Sequence, residues 1–97
     1  MGFFQKLFGS CNKDTLKEMH AEGALLIDVR SKEEFAAGHA SKAINIPLQL
    51  LMQSGDTLKG KKIITVCKSG ARSAMAVTIL QKEGVEAFNG GAWHNWQ

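Results

Sequence analysis

Tyrosine is absent from this chain, proline occurs once and cysteine only twice. The two thiols, Cys11 and Cys67, are too few for the disulfide framework of a small secreted scaffold. Neither belongs to a Cys-x-x-Cys pair or stands at zinc-ligand spacing from a histidine, so no metal is expected. The thiols read as reduced, which points to an intracellular, cytoplasmic protein. Charge is not strongly biased either: 12 basic against 9 acidic residues leave +3. With no basic cluster longer than the Lys-Gly-Lys-Lys at 59–62 and no tyrosine stacking platform, nucleic-acid binding is set aside. The small positive excess suits a small anionic substrate. Low-complexity tracts and internal repeats are missing as well, and 97 residues with 44% hydrophobic content fit one ordinary core.

The opening "MGFFQKLFGS" is the chain's one unusual apolar stretch. It is too short for a signal peptide, is interrupted by Gln5 and Lys6, and cannot span a bilayer. Lys6 stands where myristoylation wants Ser or Thr. Residues 1–10 therefore read as an N-terminal segment, a short helix or arm, ahead of a domain at 11–97. It is expected to pack on that domain, with membrane contact or partner docking as alternatives.

What is present is a strict alternation. Asn12 or Asp14 can cap a helix through "TLKEMHAEG", stopped at Gly23. "ALLIDV" is a continuous apolar run of strand length, suited to a strand covered on both faces. Ser31 and Glu34 fit a capping box, so "SKEEFAAG" reads as a short helix ended by Gly38. "AINIP" is a second strand, "LQLLMQSG" a helical stretch finishing at Gly55, and "KIITVC" a third strand rich in β-branched residues. A helix from Arg72 to Glu83 ends at Gly84, "VEAF" is a fourth strand, and "GGAWHNWQ" a turn with a closing segment. This order implies an α/β fold: one domain, a mainly parallel sheet of four to five strands, helices on both faces.

In such a sheet, ligands bind beyond the carboxyl ends of the strands. Cys67 ends a buried strand there, and "KSGAR" leads from it into a helix. Alone, a cysteine in that place reads as packing. Its company argues otherwise. Tight-loop N–H groups and the positive end of a helix dipole form a cradle for an anion, and the same field favours a thiolate. Gly70 lets the backbone turn inward, Lys68 and Arg72 supply mobile positive charge, and Ser69 and Ser73 offer hydroxyls. The candidate nucleophile is Cys67, and the candidate anion-binding residues are Lys68, Ser69, Gly70, Ala71, Arg72 and Ser73.

"CKSGARS" closely resembles the active-site loop of rhodanese-like domains. "LLIDVRSKEEFAAGHASKAINIPL" at 25–48 resembles the family's first signature, and "NGGAW" at 89–93 its closing Gly-Gly turn with Trp. The resemblance implies a single-domain sulfurtransferase without a cofactor. Cys67 would take the outer sulfur of a donor such as thiosulfate, release sulfite, and hand the sulfur from a persulfide to a thiol or cyanide. A small thiol or thioredoxin is a candidate acceptor; a non-enzymatic persulfide carrier in a sulfur relay is the alternative. Protein tyrosine phosphatases place five residues between Cys and Arg where this chain has four, and a smaller ring suits sulfur over a phosphoryl group.

Asp28 and Arg30 follow a buried strand and are candidate supports for the loop, with Arg30 also able to pair with Glu33 or Glu34. His39 reads as a structural hydrogen bonder, since a thiolate ionised by its loop needs no base. Either Trp93 or Trp96 can match the family's tryptophan. Cys11 reads as a bystander thiol. "HASKAIN" lacks the Pro-Gly often found after Gly-His in the family.

Overall fold

The computed structural model describes residues 12–97; the expectations for residues 1–10 and for Cys11 lie outside them. Asn12 caps the first helix, α1 (Lys13–Ala21), its side chain accepting from the Thr15 N–H at 2.9 Å. Strand β1 (Leu25–Asp28) follows, then α2 (Lys32–Ala37). At α2 the capping box forms in full: Ser31 Oγ accepts from the Glu34 N–H, and the Glu34 carboxylate accepts from the Ser31 N–H. Strand β2 (Ile44–Asn45) is shorter than its apolar run suggested; it lies on the sheet's edge and pairs with β1 alone.

After Pro47 a 3-10 turn (Leu48–Leu50) leads into α3 (Leu51–Leu58). Gly55, expected to stop this helix, is buried inside it. A Cβ there would stand 3.1 Å from the Glu83 Cβ, so the glycine serves close packing rather than termination. Strand β3 (Lys62–Cys67) and helix α4 (Ala71–Lys82) fall where the pattern placed them, with Gly84 left-handed at φ +81° just beyond the helix. Strand β4 (Glu86–Ala92) runs through the glycine pair instead of ending before it, and a 3-10 turn (Trp93–Trp96) closes the chain.

The four strands are parallel in the order β2-β1-β3-β4, at the lower end of the expected four to five. Each buried strand feeds both faces. Ile27, Val29, Ile63 and Cys67 pack with Leu51, Leu58, Ala76, Val77 and Leu80 of α3 and α4. Leu26, Ile64, Val66 and Phe88 pack on the opposite face with Leu16 of α1 and Trp96. Helices or turns thus cover both sides. Among the described residues no helix is long and apolar enough to cross a membrane.

This order has a consequence for the site. From β1 the chain moves outward to β2, and from β3 it moves the other way to β4. The loops leaving β1 and β3 therefore diverge between two central neighbours, opening a crevice at their carboxyl ends. Arg30 and Cys67 sit at those two ends.

Candidate active site

Cys67 closes β3 with its side chain only 1% exposed. The next residues turn sharply because Gly70 adopts φ +107°, a left-handed value that a Cβ would penalise. This turn aims amides back at the sulfur: the Gly70 N–H lies 3.0 Å from Sγ and the Ser73 N–H 3.4 Å, while Ser73 Oγ stands at 3.7 Å. Burial pushes the thiol's pKa up. The backbone and hydroxyl of Ser73 and the amides of Gly70 and Ser69 outweigh it, holding the thiol below its ordinary value. The N–H donors of the turn therefore converge on the sulfur.

Lys68, Ser69 and Ala71 are exposed around this turn. Arg72 departs from expectation. It is not a mobile charge, for its Nη1 and Nη2 donate to the Glu34 Oε1 and Oε2 at 2.7 and 3.1 Å. The Arg72 hydrogen bonds and then the Ser31 N–H hold the Glu34 carboxyl low, at about 2. One carboxylate thus starts α2 and ties the start of α4 to it. Lys68 is left as the cation of the loop without a carboxylate partner among the described residues.

Asp28 and Arg30 also pair differently from the expected Arg30 contact with Glu33 or Glu34. Arg30 Nε donates to both Asp28 oxygens at 2.9 and 3.1 Å, Nη2 donates to Oδ2 at 2.8 Å, and the Arg30 N–H reaches Oδ1 at 3.0 Å. Nη2 also donates to the Gly38 carbonyl at 2.7 Å, and the Trp93 ring lies 4.6 Å from the guanidinium carbon. Asp28 is fully buried, and Arg30 alone satisfies the carboxylate that burial would otherwise penalise. Asn45 adds two hydrogen bonds, to the carbonyls of Asp28 and Arg30. The pair fixes the exit of β1 beside the loop rather than touching the sulfur.

His39 bonds through Nδ1 with the Phe35 carbonyl at 2.7 Å and stacks on the Phe35 ring. Trp96 is buried and donates to the Gly90 carbonyl at 2.9 Å, whereas Trp93 rims the crevice. Away from all this, a cavity of about 400 Å³ lined by Met19, Gly23, Ala24, Gly60, Lys61 and Lys62 lies by the amino ends of β1 and β3. None of the loop's chemistry reaches it.

Two residues of the site, Thr65 and Asn89, had no role assigned from sequence, and Glu34, read as a cap and a candidate partner of Arg30, pairs with Arg72 instead. Thr65 Oγ1 lies 3.0 Å from the Ser73 carbonyl, anchoring the first turn of α4 from below. Asn89 bonds to Gly70, Ser73 and Gly91. Its only sequence signal is a polar, turn-forming residue set directly before a glycine pair.

A parallel α/β sheet with a cysteine cradled at its central crevice defines the class, and comparison gives the family. The rhodanese-like domain model matches residues 12–97, and the chain belongs to that family. It is 33% identical over 64 residues to a sulfurtransferase of Allochromatium vinosum, a match covering 65% of this chain and 60% of that one. The human single-domain sulfurtransferase TSTD1 superposes with a TM-score of 0.73 at 30% identity, covering 86% of this chain and 89% of that one. A rhodanese with anions from E. coli superposes with a TM-score of 0.69 at 30% identity, over 75% of this chain and 91% of that one. The chain spans between 16% and 60% of the length of the curated relatives compared.

Proposed function

We propose that this chain is a sulfurtransferase that moves sulfane sulfur from thiosulfate, or a similar anionic donor, to a thiol or cyanide through a persulfide on Cys67. The observation that carries this reading is the pair of amides, Gly70 and Ser73, directed at the Cys67 sulfur at 3.0 and 3.4 Å. Membership of the family and the sulfurtransferase-named relatives support the class of reaction.

In the first half-reaction the thiolate attacks the outer sulfur of thiosulfate. The S–S bond of the donor breaks, its electron pair leaves with sulfite, and Cys67 carries a persulfide anion. Amides already pointing at this position need no reorganisation as negative charge shifts outward by one sulfur atom. In the second, an acceptor thiolate or cyanide attacks the outer sulfur and the Cys67 thiolate leaves. A thiol acceptor departs as a persulfide, cyanide as thiocyanate. A small thiol or thioredoxin is the proposed thiol acceptor, and no step calls on a metal or organic cofactor.

Because Arg72 is neutralised by Glu34, attraction of the dianionic donor rests on Lys68, the loop amides and the dipole of α4. A second reading, a carrier loaded by a protein partner, draws on the chain's match to parts of longer proteins. Intact mass after thiosulfate treatment separates the cases. The enzyme gains one sulfur rapidly, and Cys67→Ser gains none. A wild-type protein that stays unmodified by thiosulfate yet loads from a protein persulfide makes it a carrier, and one that accepts sulfur from neither defeats both.

A further inference from the structure

We propose that Asn89 is a positioning residue for the Cys67 sulfur, clamping the loop after β3 onto an irregular step of β4. The proposal rests on the sulfurtransferase reading for its purpose, but its geometry stands separately. Between β3 and β4 the register shifts: Thr65 pairs with Asn89, whereas Cys67, two residues on, pairs with Ala92, three residues on. The extra residue falls at the glycine pair, where Gly91 takes φ +80°. Asn89 holds this bulge itself, its Oδ1 accepting from the Gly91 N–H at 2.9 Å.

The remaining bonds of the same side chain reach the loop. Asn89 Nδ2 donates to the Gly70 carbonyl at 3.1 Å, and Oδ1 accepts from Ser73 Oγ at 2.5 Å. Gly70 and Ser73 carry the N–H groups that stand 3.0 and 3.4 Å from the sulfur. A single amide therefore grips both donors, using three of its four hydrogen-bonding positions. Backbone crowding tightens the fit, since a Cβ on Gly70 would stand 3.4 Å from the Gly91 Cα. Loop and bulge are built against each other.

The Ser73 hydroxyl decides the sign of the effect. It has one hydrogen and three nearby acceptors: Asn89 Oδ1 at 2.5 Å, the Gly70 carbonyl at 3.0 Å, and the sulfur at 3.7 Å. Removing Asn89 does not release that hydrogen to the sulfur. The Gly70 carbonyl, having lost its own donor from Nδ2, captures it at the shorter distance. What the sulfur loses is the fixed aim of two amides, with nothing gained in exchange, so the thiol becomes harder to ionise. The charged groups around it stay unchanged: Lys68 in the loop, Arg72 on α4 with Glu34 of α2, and Asp28 with Arg30 at the end of β1.

The test is the pH dependence of iodoacetamide alkylation of Cys67. Asn89→Ala is expected to move the midpoint up by about one pH unit, and to slow thiosulfate loading about tenfold below the wild-type midpoint. Ser73→Ala should then raise the midpoint less in the Asn89→Ala background than in the wild type, because part of its effect acts through the same clamp. Should Asn89→Ala fold poorly in thermal unfolding, Asn89→Asp serves instead: it keeps both accepting roles, loses the donor to Gly70, adds a negative charge, and must also raise the midpoint. Superimposable alkylation profiles for wild type and these variants overturn the role of Asn89 and leave the activity standing. A wild type that never accepts sulfur overturns the activity and leaves the alkylation result intact.

Discussion

Two adjacent glycines in β4 offer a sharp test of how the strand supports the loop, because they are required for different reasons. Gly90 is buried against β3. A Cβ built on it would lie 2.8 Å from Ile64 Cγ2, 3.0 Å from the Thr65 carbonyl oxygen and 3.0 Å from Val66 Cγ1. Carbon atoms prefer roughly 3.5–4.0 Å, so each contact is short by about half an ångström or more. Side chains can yield a little, but the Thr65 carbonyl belongs to a strand paired on both sides. Over-packing of this kind costs about 1–3 kcal/mol, and three simultaneous clashes, one with backbone, place Gly90→Ala near 3. Gly91 faces the opposite situation: nothing lies within 4 Å of its hypothetical Cβ, and only its φ of +80° objects. Gly91→Ala should cost roughly 1–2 kcal/mol. For a domain of this size each kcal/mol moves Tm by about 4–8 °C. Thermal unfolding followed by circular dichroism should therefore show a drop of roughly 12–24 °C for Gly90→Ala, beyond that of Gly91→Ala. If Gly90→Ala melts no lower than Gly91→Ala, the close packing of β4 on β3 is wrong, and with it the platform on which Asn89 and the loop rest.

Two further perturbations test the supports on the other side of the crevice. Asp28→Asn should strip the buried Arg30 of its charged partner and lower stability by about 3 kcal/mol, read from urea unfolding; an unchanged midpoint would mean the pair contributes nothing. The Glu34 carboxyl sits at about 2 against an ordinary 4.5, so its contribution to stability is complete above about 4.5 and disappears as pH falls through about 2. Glu34→Gln should flatten that acid limb of the urea-midpoint profile and leave the neutral region parallel to wild type, whereas two profiles of identical slope would show that the Arg72 contact is not formed in solution.

The parts of the fold that were readable from sequence are those set by neighbours in the chain. The Asn12 cap, the Ser31–Glu34 box, the apolar strands 25–28 and 62–67 and the left-handed residue after α4 all depend on contacts within a few residues. Where a local signal had two uses, the wrong one was expected. Gly55 reads as a stop but is a packing site against Glu83, and the glycine pair at 90–91 reads as a turn but is a bulge inside a strand. Both outcomes hinge on what another element brings to within 3–4 Å.

The site divides along the same line. Cys67, Gly70 and Ser73 lie within seven residues, and the turn they form aims its amides at the sulfur by local geometry. Charge and orientation come from farther away: Glu34 is 38 residues from Arg72, and Asn89 is 19 from Gly70 and 16 from Ser73. A Glu in the first turn of a helix, or an Asn before two glycines, carries no mark of such a partner until the sheet fixes which loops meet. The order β2-β1-β3-β4 does so by setting β1 and β4 on either side of β3. α2, entered from β1, then brings Glu34 to Arg72, while β4 brings Asn89 to Gly70 and Ser73. A cysteine loop of the same seven residues grafted onto a sheet with another neighbour order would keep its turn and its glycine, yet lose the carboxylate that restrains Arg72 and the amide that restrains the donors. The environment of the Cys67 sulfur is in that sense a property of strand order as much as of the motif.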